Sequence, residues 1–301
     1  MSQSEKEKPA KSKGVVASVM KRLRPGRRSS RKASLNAANG SLVPTTSLEG
    51  KVAVVTGSSK SLGAILARCL AEQGADIVVN YVRDSKSADE VVNSIRALNK
   101  GRVLAVAADA STVEGGRVLL NETLRVFGRI DILVLNAGSS VTRSLSEIDE
   151  EFWDSQMAMN VKAPLFLAKA ASTFLPPFGG RIIFISSSLT TMSGVPPNAL
   201  SYIASKGAIE QISRALAKDL GSRGVTVNSI CPGPIDSSRG STNTGDLGKS
   251  GYQPLDAITK QAPLNRLTTP EDIAPIVAFL ASPAAQWVNG QSIRVNGGAV
   301  V

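Results

Sequence analysis

Short apolar runs of strand length alternate with helical segments along most of this chain. The runs are Lys51–Val55, Asp76–Tyr81, Val103–Ala107, Ile130–Leu135, Arg181–Ser186 and Val225–Ile230. Between the first two, residues 62–74 place apolar side chains on one helical face and end at Gly74, a residue that can cap a helix. Because strands buried on both faces consist of continuous Val/Ile runs, this alternation predicts an α/β fold with a doubly wound parallel sheet of the Rossmann type.

The first 49 residues differ from the rest in composition and charge. Of the net charge of +11, residues 1–50 carry +8, from 11 Lys/Arg against 3 Asp/Glu. Because residues 1–49 also contain no aromatic side chain, we predict a disordered basic arm there and a single domain over residues 50–301. The stretch Lys21–Lys32 is basic and contains serine, as mitochondrial transit segments are and do, but Glu5 and Glu7 before it argue against such a segment. A cytoplasmic protein is therefore expected, with a mitochondrial one as the alternative.

Several absences limit the possible chemistry. The chain has no His and two Cys, which excludes Ser-His-Asp and Cys-His nucleophile sites and predicts no metal site. The longest apolar runs are about four residues, whereas a membrane-spanning helix needs about 20. Beyond the arm, 24 Lys/Arg stand against 21 Asp/Glu, so nucleic-acid binding by the body of the protein is not expected.

Three short motifs follow one another in the chain. Thr56–Gly63 (T-G-S-S-K-S-L-G) joins the first strand to the first helix, where small residues and a helix N-terminus can receive a phosphate. Alone, this turn is equally consistent with an ordinary strand-to-helix loop. Asn136–Gly138 (N-A-G) follows the fourth strand, and Tyr202 and Lys206 stand four residues apart, which is one helical turn.

With these motifs in order, residues 50–301 resemble the short-chain dehydrogenase/reductase family, in the branch with a T-G-x-x-x-G-x-G turn, an N-A-G strand end and a Y-x-x-x-K active site. The resemblance implies a seven-stranded sheet closed by Ile293–Gly298, with Asn296 where aspartate is usual. The sequence departs from the family at Ser61, which replaces a glycine. We expect the Ser61 hydroxyl to bond a phosphate oxygen. The alternative is weaker cofactor binding, at a greater cost if the position needs a positive φ.

The end of the second strand favours NADP(H) over NAD. An acidic residue there would accept hydrogen bonds from the adenosine 2′-OH and repel a 2′-phosphate, and Asn80-Tyr81 supplies none. We expect Asn80, Ser59 and Lys60 to hold the 2′-phosphate, with Tyr81 beside the adenine. The alternative is that Asn80 merely ends the strand and the nearby Arg83 is a solvated charge, which would leave little selectivity.

The resemblance also implies the remaining cofactor contacts. Asp109 would meet the adenine amino group, the Asn136–Gly138 segment would pass beneath the ribose, and Ile235 would fix the carboxamide through its backbone. The full set of predicted cofactor-binding residues is Gly57, Ser59, Lys60, Ser61, Leu62, Gly63, Asn80, Tyr81, Asp109, Asn136, Ala137, Gly138, Tyr202, Lys206, Pro232, Gly233 and Ile235.

Four residues form the predicted catalytic set. Tyr202 is expected to exchange a proton with the substrate, because Lys206 nearby would lower a phenol pKa of about 10 toward neutrality. By resemblance, Ser187, with Ser188 as the alternative, would hydrogen-bond the carbonyl oxygen. Asn160 would order a water that links Lys206 to solvent.

Together these residues predict an NADPH-dependent carbonyl reductase, similar to reductases of β-ketoacyl thioesters and fungal polyhydroxynaphthalene reductases of secondary metabolism. A hydroxysteroid or polyol dehydrogenase would use the same chemistry. A different kind of function also stays open, a cofactor-sensing or scaffold protein whose basic arm binds RNA or anionic lipid. Arg266–Ala274 resembles the family's subunit-packing helix, which implies a homotetramer or homodimer. Asp236–Gln261 is expected to form a lid over the substrate.

Overall fold

The computed structural model describes residues 45–235 and 262–301. The strands in these residues are β1 (Val52–Val55), β2 (Asp76–Tyr81), β3 (Val103–Ala107), β4 (Ile132–Leu135), β5 (Arg181–Ile185), β6 (Thr226–Pro232) and β7 (Ser292–Val295). The α-helices are α1 (Ser61–Glu72), α2 (Ser85–Arg96), α3 (Val113–Phe127), α4 (Glu150–Met157), α5 (Ala163–Ser172), α6 (Leu200–Leu220) and α7 (Pro270–Ala281). A π-helical turn, Ala158–Lys162, joins α4 to α5.

The strands form one parallel sheet in the order β3-β2-β1-β4-β5-β6-β7. The chain starts near the middle of the sheet, runs outward through β2 and β3, and returns to β4 before running outward in the other direction. This change of direction occurs between the neighbouring strands β1 and β4, and the carboxyl ends of strands at such a point are where sheets of this kind bind ligands. The predicted doubly wound, seven-stranded parallel sheet is confirmed.

Both faces of the sheet are covered, and β1 contributes to both cores. Ala53 and Val55 pack in the core that includes α1, α2 and α7, whereas Val52 and Val54 pack in the core that includes α3, α5 and α6. All four side chains are at most 1% exposed. Because neighbouring residues of a strand point to opposite faces, burial of both faces requires an unbroken apolar run, as the sequence shows.

The folded domain begins before the predicted boundary. Leu48 is fully buried in the core that includes α1, and its N–H donates to the carbonyl oxygen of Gln73 at 2.8 Å. The ordered domain therefore includes a residue that the boundary predicted at residue 50 excludes. Residues 1–44 of the predicted arm and the predicted lid, Asp236–Gln261, lie outside the described residues.

Two C-terminal elements differ from their predicted bounds. The helix predicted over Arg266–Ala274 is α7, which begins only after Thr269 because Thr269 and Asp272 cap its start reciprocally. The strand predicted over Ile293–Gly298 is β7, which ends before Asn296. The side chain of Asn296 accepts a hydrogen bond from the N–H two residues later (3.0 Å) and so turns the chain. None of the helices in the described part of the chain combines the length and hydropathy that crossing a membrane requires.

Candidate active site

The predicted site residues gather at one edge of the sheet. They lie at or just after the carboxyl ends of β1 to β6, at the start of α6 and, for Asn160, in the turn between α4 and α5. Because all the strands are parallel, their carboxyl ends share this edge. The fold thereby brings together motifs that are far apart in the sequence, from the turn at Gly57 to the segment at Ile235.

Two glycines shape the turn after β1. Gly57 has a φ of +61°, and a Cβ on it would lie 3.2 Å from the Cα of Ala137. Gly63 lies in the first turn of α1, and a Cβ there would lie 2.3 Å from the carbonyl oxygen of Gly57. Only glycine lets the helix start pack this closely on the turn. The result is a cradle whose backbone a diphosphate can approach.

Ser61 begins α1 with a left-handed backbone, at a φ of +54°. This conformation is nearly free of strain for glycine and costs energy for serine. The helix has no side-chain cap from Lys60 and no acidic residue in its first turn, so no carboxylate of that turn offsets the partial positive charge of its N-terminus. Because φ is positive at this position, serine costs more conformational free energy here than glycine would.

Three of the predicted contacts have little exposed side chain. Ser59 and Leu62 are each 9% exposed, and the Leu62 side chain belongs to the core. The backbone of Leu62, rather than its side chain, is thus the part that could face a phosphate. Tyr81 is half-buried and packs against the same core.

Asn80 joins the turn to the ends of two neighbouring strands. Its Oδ1 accepts from the Gly57 N–H (3.0 Å), its Nδ2 donates to the Ala108 carbonyl oxygen (2.9 Å), and its N–H donates to Ser58 Oγ (2.9 Å). The residue is 1% exposed. This geometry corrects the prediction that the Asn80 side chain holds a 2′-phosphate, because its amide is already engaged by the backbone and fixes the turn instead.

The surface beside the end of β2 is basic. Lys60 and Arg83 are both exposed. The neighbouring Asp84 caps α2 by accepting from the Ser87 N–H (3.0 Å). Hydrogen bonds from Ser87 lower the pKa of Asp84, and Lys60 contributes to the same shift. Two cations are therefore available near this strand end, and the nearby carboxylate is committed to a helix cap.

One hydroxyl ties β1 to the N-A-G segment after β4. Thr56 Oγ1 accepts from the N–H groups of Asn136 and Ala137, both at 2.9 Å, and the Asn136 side chain donates to the Thr56 carbonyl oxygen at 3.0 Å. At Gly138, an added Cβ would lie 3.3 Å from Lys206 Nζ. The end of β4 is thus adjacent to the predicted catalytic lysine.

Asp109 lies just beyond β3, with an exposed side chain. Its Oδ1 accepts from the N–H and the hydroxyl of Ser111, at 3.0 and 2.6 Å. A Cβ on Gly115 would lie 2.0 Å from the Asp109 carbonyl oxygen, so the start of α3 packs directly on this turn. The turn is well fixed, and the contact of Asp109 with adenine stays a prediction.

Asn160 lies in the π-helical turn between α4 and α5, and such turns are frequent at functional sites. It is 1% exposed. Its Oδ1 accepts from the Ser139 N–H (2.8 Å), and its Nδ2 donates to the Ser139 carbonyl oxygen (2.9 Å) and to Ser205 Oγ (3.0 Å). Asn160 therefore holds the chain after β4 against α6, and its ordering of a water stays a prediction.

Tyr202 and Lys206 lie one turn apart in α6, as their spacing predicts. Lys206 is 5% exposed, its Nζ donates to the Ile185 carbonyl oxygen at 2.9 Å, and the same nitrogen lies 5.7 Å from the centroid of the Tyr202 ring. The Ser187 side chain is hydrogen-bonded to the Tyr202 phenol. Phenol, hydroxyl and ammonium therefore converge where β4 and β5 end.

The pKa values in this cluster differ from the sequence prediction. Burial raises the pKa of Tyr202, and the hydrogen bond from Ser187 opposes that rise. Burial also lowers the pKa of Lys206, to about 8. In this structure burial of the phenol acts against the lowering of the Tyr202 pKa that is expected from Lys206, and the net direction is upward.

A protein-family model matches the part of the chain that carries these motifs. The family model described as enoyl-(acyl carrier protein) reductase matches residues 57–300, from the phosphate turn to the residues after the last strand. The chain belongs to the short-chain dehydrogenase/reductase family. This confirms the resemblance predicted from the three motifs.

Similar proteins include both sequence relatives and solved structures. Hydroxynaphthalene reductase-like protein Arp2 of Metarhizium brunneum is 41% identical over 261 residues, which cover 84% of this chain and 96% of that protein. A short chain dehydrogenase from Burkholderia cenocepacia in complex with NADP is 33% identical with a TM-score of 0.76, covering 84% of this chain and 98% of that one. The angucycline C-6 ketoreductase LanV with bound NADP is 35% identical with a TM-score of 0.75, and the match covers 84% of this chain and 96% of that one. The predicted cofactor, NADP(H), agrees with both of these structures.

This short-chain dehydrogenase/reductase has three serines after β5, and their contacts distinguish them. Ser186 donates to Glu210 Oε1 at 2.8 Å, so its hydroxyl faces away from the phenol cluster into α6. Ser187 contacts Tyr202, and Ser188 begins a short 3₁₀ helix in which it is 1% exposed. The geometry favours Ser187 over Ser188 as the serine beside the phenol.

The segment after β6 is held as an extension of the sheet. The Gly233 N–H donates to the Val295 carbonyl oxygen at 2.9 Å, and a Cβ on Gly233 would lie 2.8 Å from Thr268 Oγ1. Ile235 pairs with Thr268 in an isolated parallel bridge. Pro232 ends β6 and leads into this segment. The backbone is thereby fixed at the place where the family resemblance puts the carboxamide contact, which stays a prediction.

Sequence reasoning missed several polar residues that build this short-chain dehydrogenase/reductase site. They are Thr56, Ser58, Ser139, Ser205 and Glu210. The first four are small side chains whose hydrogen bonds depend on the packed fold, and the sequence carries no separate signal for them. Glu210 did offer a signal, because it follows Lys206 by four residues and so shares the buried face of its helix.

Proposed function

We propose that this protein is an NADPH-dependent ketone reductase in which Tyr202 donates the proton to the carbonyl oxygen. The observation that carries the proposal is the convergence of the Tyr202 phenol, the Ser187 hydroxyl and the Lys206 ammonium at the carboxyl edge of the sheet. Carbonyl reduction needs a proton donor, a hydrogen-bond donor toward the developing oxyanion and a stabilising positive charge.

NADP(H) is the cofactor that the residues present fit. When bound, it supplies the hydride for the carbonyl carbon. The cradle formed by Gly57 and Gly63 would receive its diphosphate beside the N-terminus of α1. Lys60 and Arg83 would face its 2′-phosphate, and Lys206 lies near the end of β4, where the ribose is expected. The two NADP-containing structures similar to this chain support the same choice.

The protonation states favour reduction. Because burial raises the Tyr202 pKa, the phenol keeps its proton at neutral pH and can act as a general acid. The Ser187 hydroxyl would stabilise the charge that develops on the carbonyl oxygen. Lys206, with a pKa of about 8, is mainly cationic at neutral pH and would stabilise the phenolate that remains after proton transfer.

We infer a ring ketone of the hydroxynaphthalene type as the substrate class. The name of the Metarhizium relative refers to hydroxynaphthalene, and the name of LanV refers to an angucycline ketone. A thioester of an acyl carrier would favour an unpaired cation at the entrance. In the described loop after β4, Arg143 is paired with Asp149 at 3.1 Å and is therefore not such a cation.

The proposal is tested by following NADPH oxidation by the full-length protein. A bicyclic hydroxyaryl ketone is compared with a short β-ketoacyl thioester, and we expect turnover with the ring ketone that is faster than with the thioester. Faster turnover of the thioester would overturn the substrate class. Failure to oxidise NADPH with any ketone, together with tight RNA or anionic-vesicle binding that disappears on deleting residues 1–44, would replace the proposal by a binding function of the arm.

A further inference from the structure

A buried acid, Glu210, lies beneath the catalytic residues and has no part in the chemistry proposed above. It is 8% exposed and stands one turn beyond Lys206 in α6. Burying a carboxylate costs free energy unless donors surround it. A buried Glu210 is therefore expected to be surrounded by hydrogen-bond donors and to hold them in place.

Three donors contact the Glu210 carboxylate. Its Oε1 accepts from the Ser186 hydroxyl at 2.8 Å and from the Thr190 hydroxyl at 2.7 Å. The Cys231 thiol at the end of β6 also hydrogen-bonds to it, and burial together with Glu210 raises the pKa of Cys231 to about 12. A thiol with that pKa stays protonated near neutrality and so remains a donor.

Two of these donors flank the serine that contacts the catalytic phenol. Ser186 immediately precedes Ser187, and the Thr190 hydroxyl also lies 2.9 Å from the Ser187 carbonyl oxygen. Glu210 is therefore hydrogen-bonded to this loop on both sides of Ser187. Since Glu210 belongs to α6, it connects this loop to the helix that carries Tyr202.

We infer that Glu210 is a positioning residue that holds the Ser187 loop against α6, so that the Ser187 hydroxyl reaches the Tyr202 phenol. The inference rests on the proposed function, from which Ser187 and Tyr202 take their roles. Glu210 does not contact the phenol cluster, so its removal should impair the chemical step through the loop. It should leave cofactor binding unchanged, because the phosphate turn lies on β1 and α1.

The test compares Glu210→Ala, Glu210→Gln and a control, Asp219→Asn, which changes an exposed acid on the same helix. We expect Glu210→Ala to lower kcat for ketone reduction about tenfold, with the Kd for NADPH within about twofold of wild type. Glu210→Gln retains an oxygen that can accept from both hydroxyls and should recover most of kcat. Asp219→Asn should behave as wild type.

A second readout does not depend on turnover. Hydrogen exchange at the backbone amides of residues 187–191 should be faster in Glu210→Ala than in wild type or Asp219→Asn. If Glu210→Ala does not fold, Thr190→Val removes one of the two hydroxyl donors and should show the same faster exchange and lower kcat.

Three results would overturn the inference. They are wild-type kcat in Glu210→Ala, wild-type exchange of the loop in that variant, and a Glu210→Gln variant as impaired as the alanine variant. A wild-type protein that reduces no ketone would instead overturn the proposed function. The exchange measurement would then still decide whether Glu210 holds the loop.

Discussion

Lys206 places its ammonium 5.7 Å from the centroid of the Tyr202 ring and donates a hydrogen bond to the Ile185 carbonyl oxygen at 2.9 Å. The lysine is therefore fixed by β5, and its charge lies over the ring. The same burial that fixes it lowers its pKa to about 8 and raises that of the phenol. Burial thus raises the pKa of the Tyr202 phenol and lowers the pKa of the Lys206 ammonium. The expected pH dependence of the reaction follows from these two shifts.

The first prediction concerns pH. Lys206 is protonated below its pKa of about 8 and neutral above it, while Tyr202, with a raised pKa, keeps its proton beyond that point. We expect kcat/KM for ketone reduction, which reports ionisations of the free enzyme, to fall as the pH rises through about 8. A pH–rate profile of wild type and of the exposed-lysine control Lys218→Met should show this limb in both proteins. A flat profile up to pH 10 would refute the role of the ammonium.

A second prediction concerns the serine in the phosphate turn. Ser61→Gly removes both the hydroxyl and the strain of a φ of +54°, whereas Ser61→Ala removes the hydroxyl alone. If the hydroxyl bonds a phosphate oxygen, both variants should bind NADPH more weakly, by about three- to tenfold. Ser61→Gly should in addition be more stable than Ser61→Ala by about 1 kcal/mol in urea unfolding.

A control for this pair is available at another strained position. Asn99 is exposed and has a φ of +52° outside the site. Asn99→Gly should gain a similar stability without any change in the Kd for NADPH. NADPH binding equal to wild type in both Ser61 variants would show that the serine hydroxyl makes no contact with the phosphate.

A third prediction concerns cofactor selectivity. Lys60→Glu replaces an exposed cation beside the phosphate turn with an anion. We expect the ratio of kcat/KM for NADPH to that for NADH to fall at least about tenfold, with most of the change in the NADPH value, because only NADPH carries the 2′-phosphate. Lys218→Glu makes the same charge change away from the site and should leave the ratio as in wild type. A ratio unaffected by Lys60→Glu would assign the selectivity to other residues.

Much of the fold could be predicted because its signals are local. In β1, the run from Val52 to Val55 indicates burial on both faces, and the glycines at positions 57 and 63 mark the turn. The spacing of Tyr202 and Lys206 likewise predicts that they share a helix face. Each of these features depends on a few neighbouring residues, so the chain alone reveals it.

The roles of individual polar groups could not be predicted in the same way. The sequence predicts that Asn80 faces a phosphate, yet its side-chain amide bonds to Gly57 and Ala108, which come from separate segments. The Tyr202 pKa depends on how far packing removes the phenol from water, which the spacing to Lys206 does not determine. Polar contacts of this kind form only when distant strands assemble.

The most direct test of the account is kcat for NADPH-dependent ketone reduction by Tyr202→Phe. This change removes the phenolic O–H and keeps the ring that lies beneath Lys206. We predict that kcat falls by about 10²–10⁴-fold, the range expected for loss of a general acid, while the Kd for NADPH remains close to wild type. Turnover within a few-fold of wild type would contradict the assignment of Tyr202 as the proton donor.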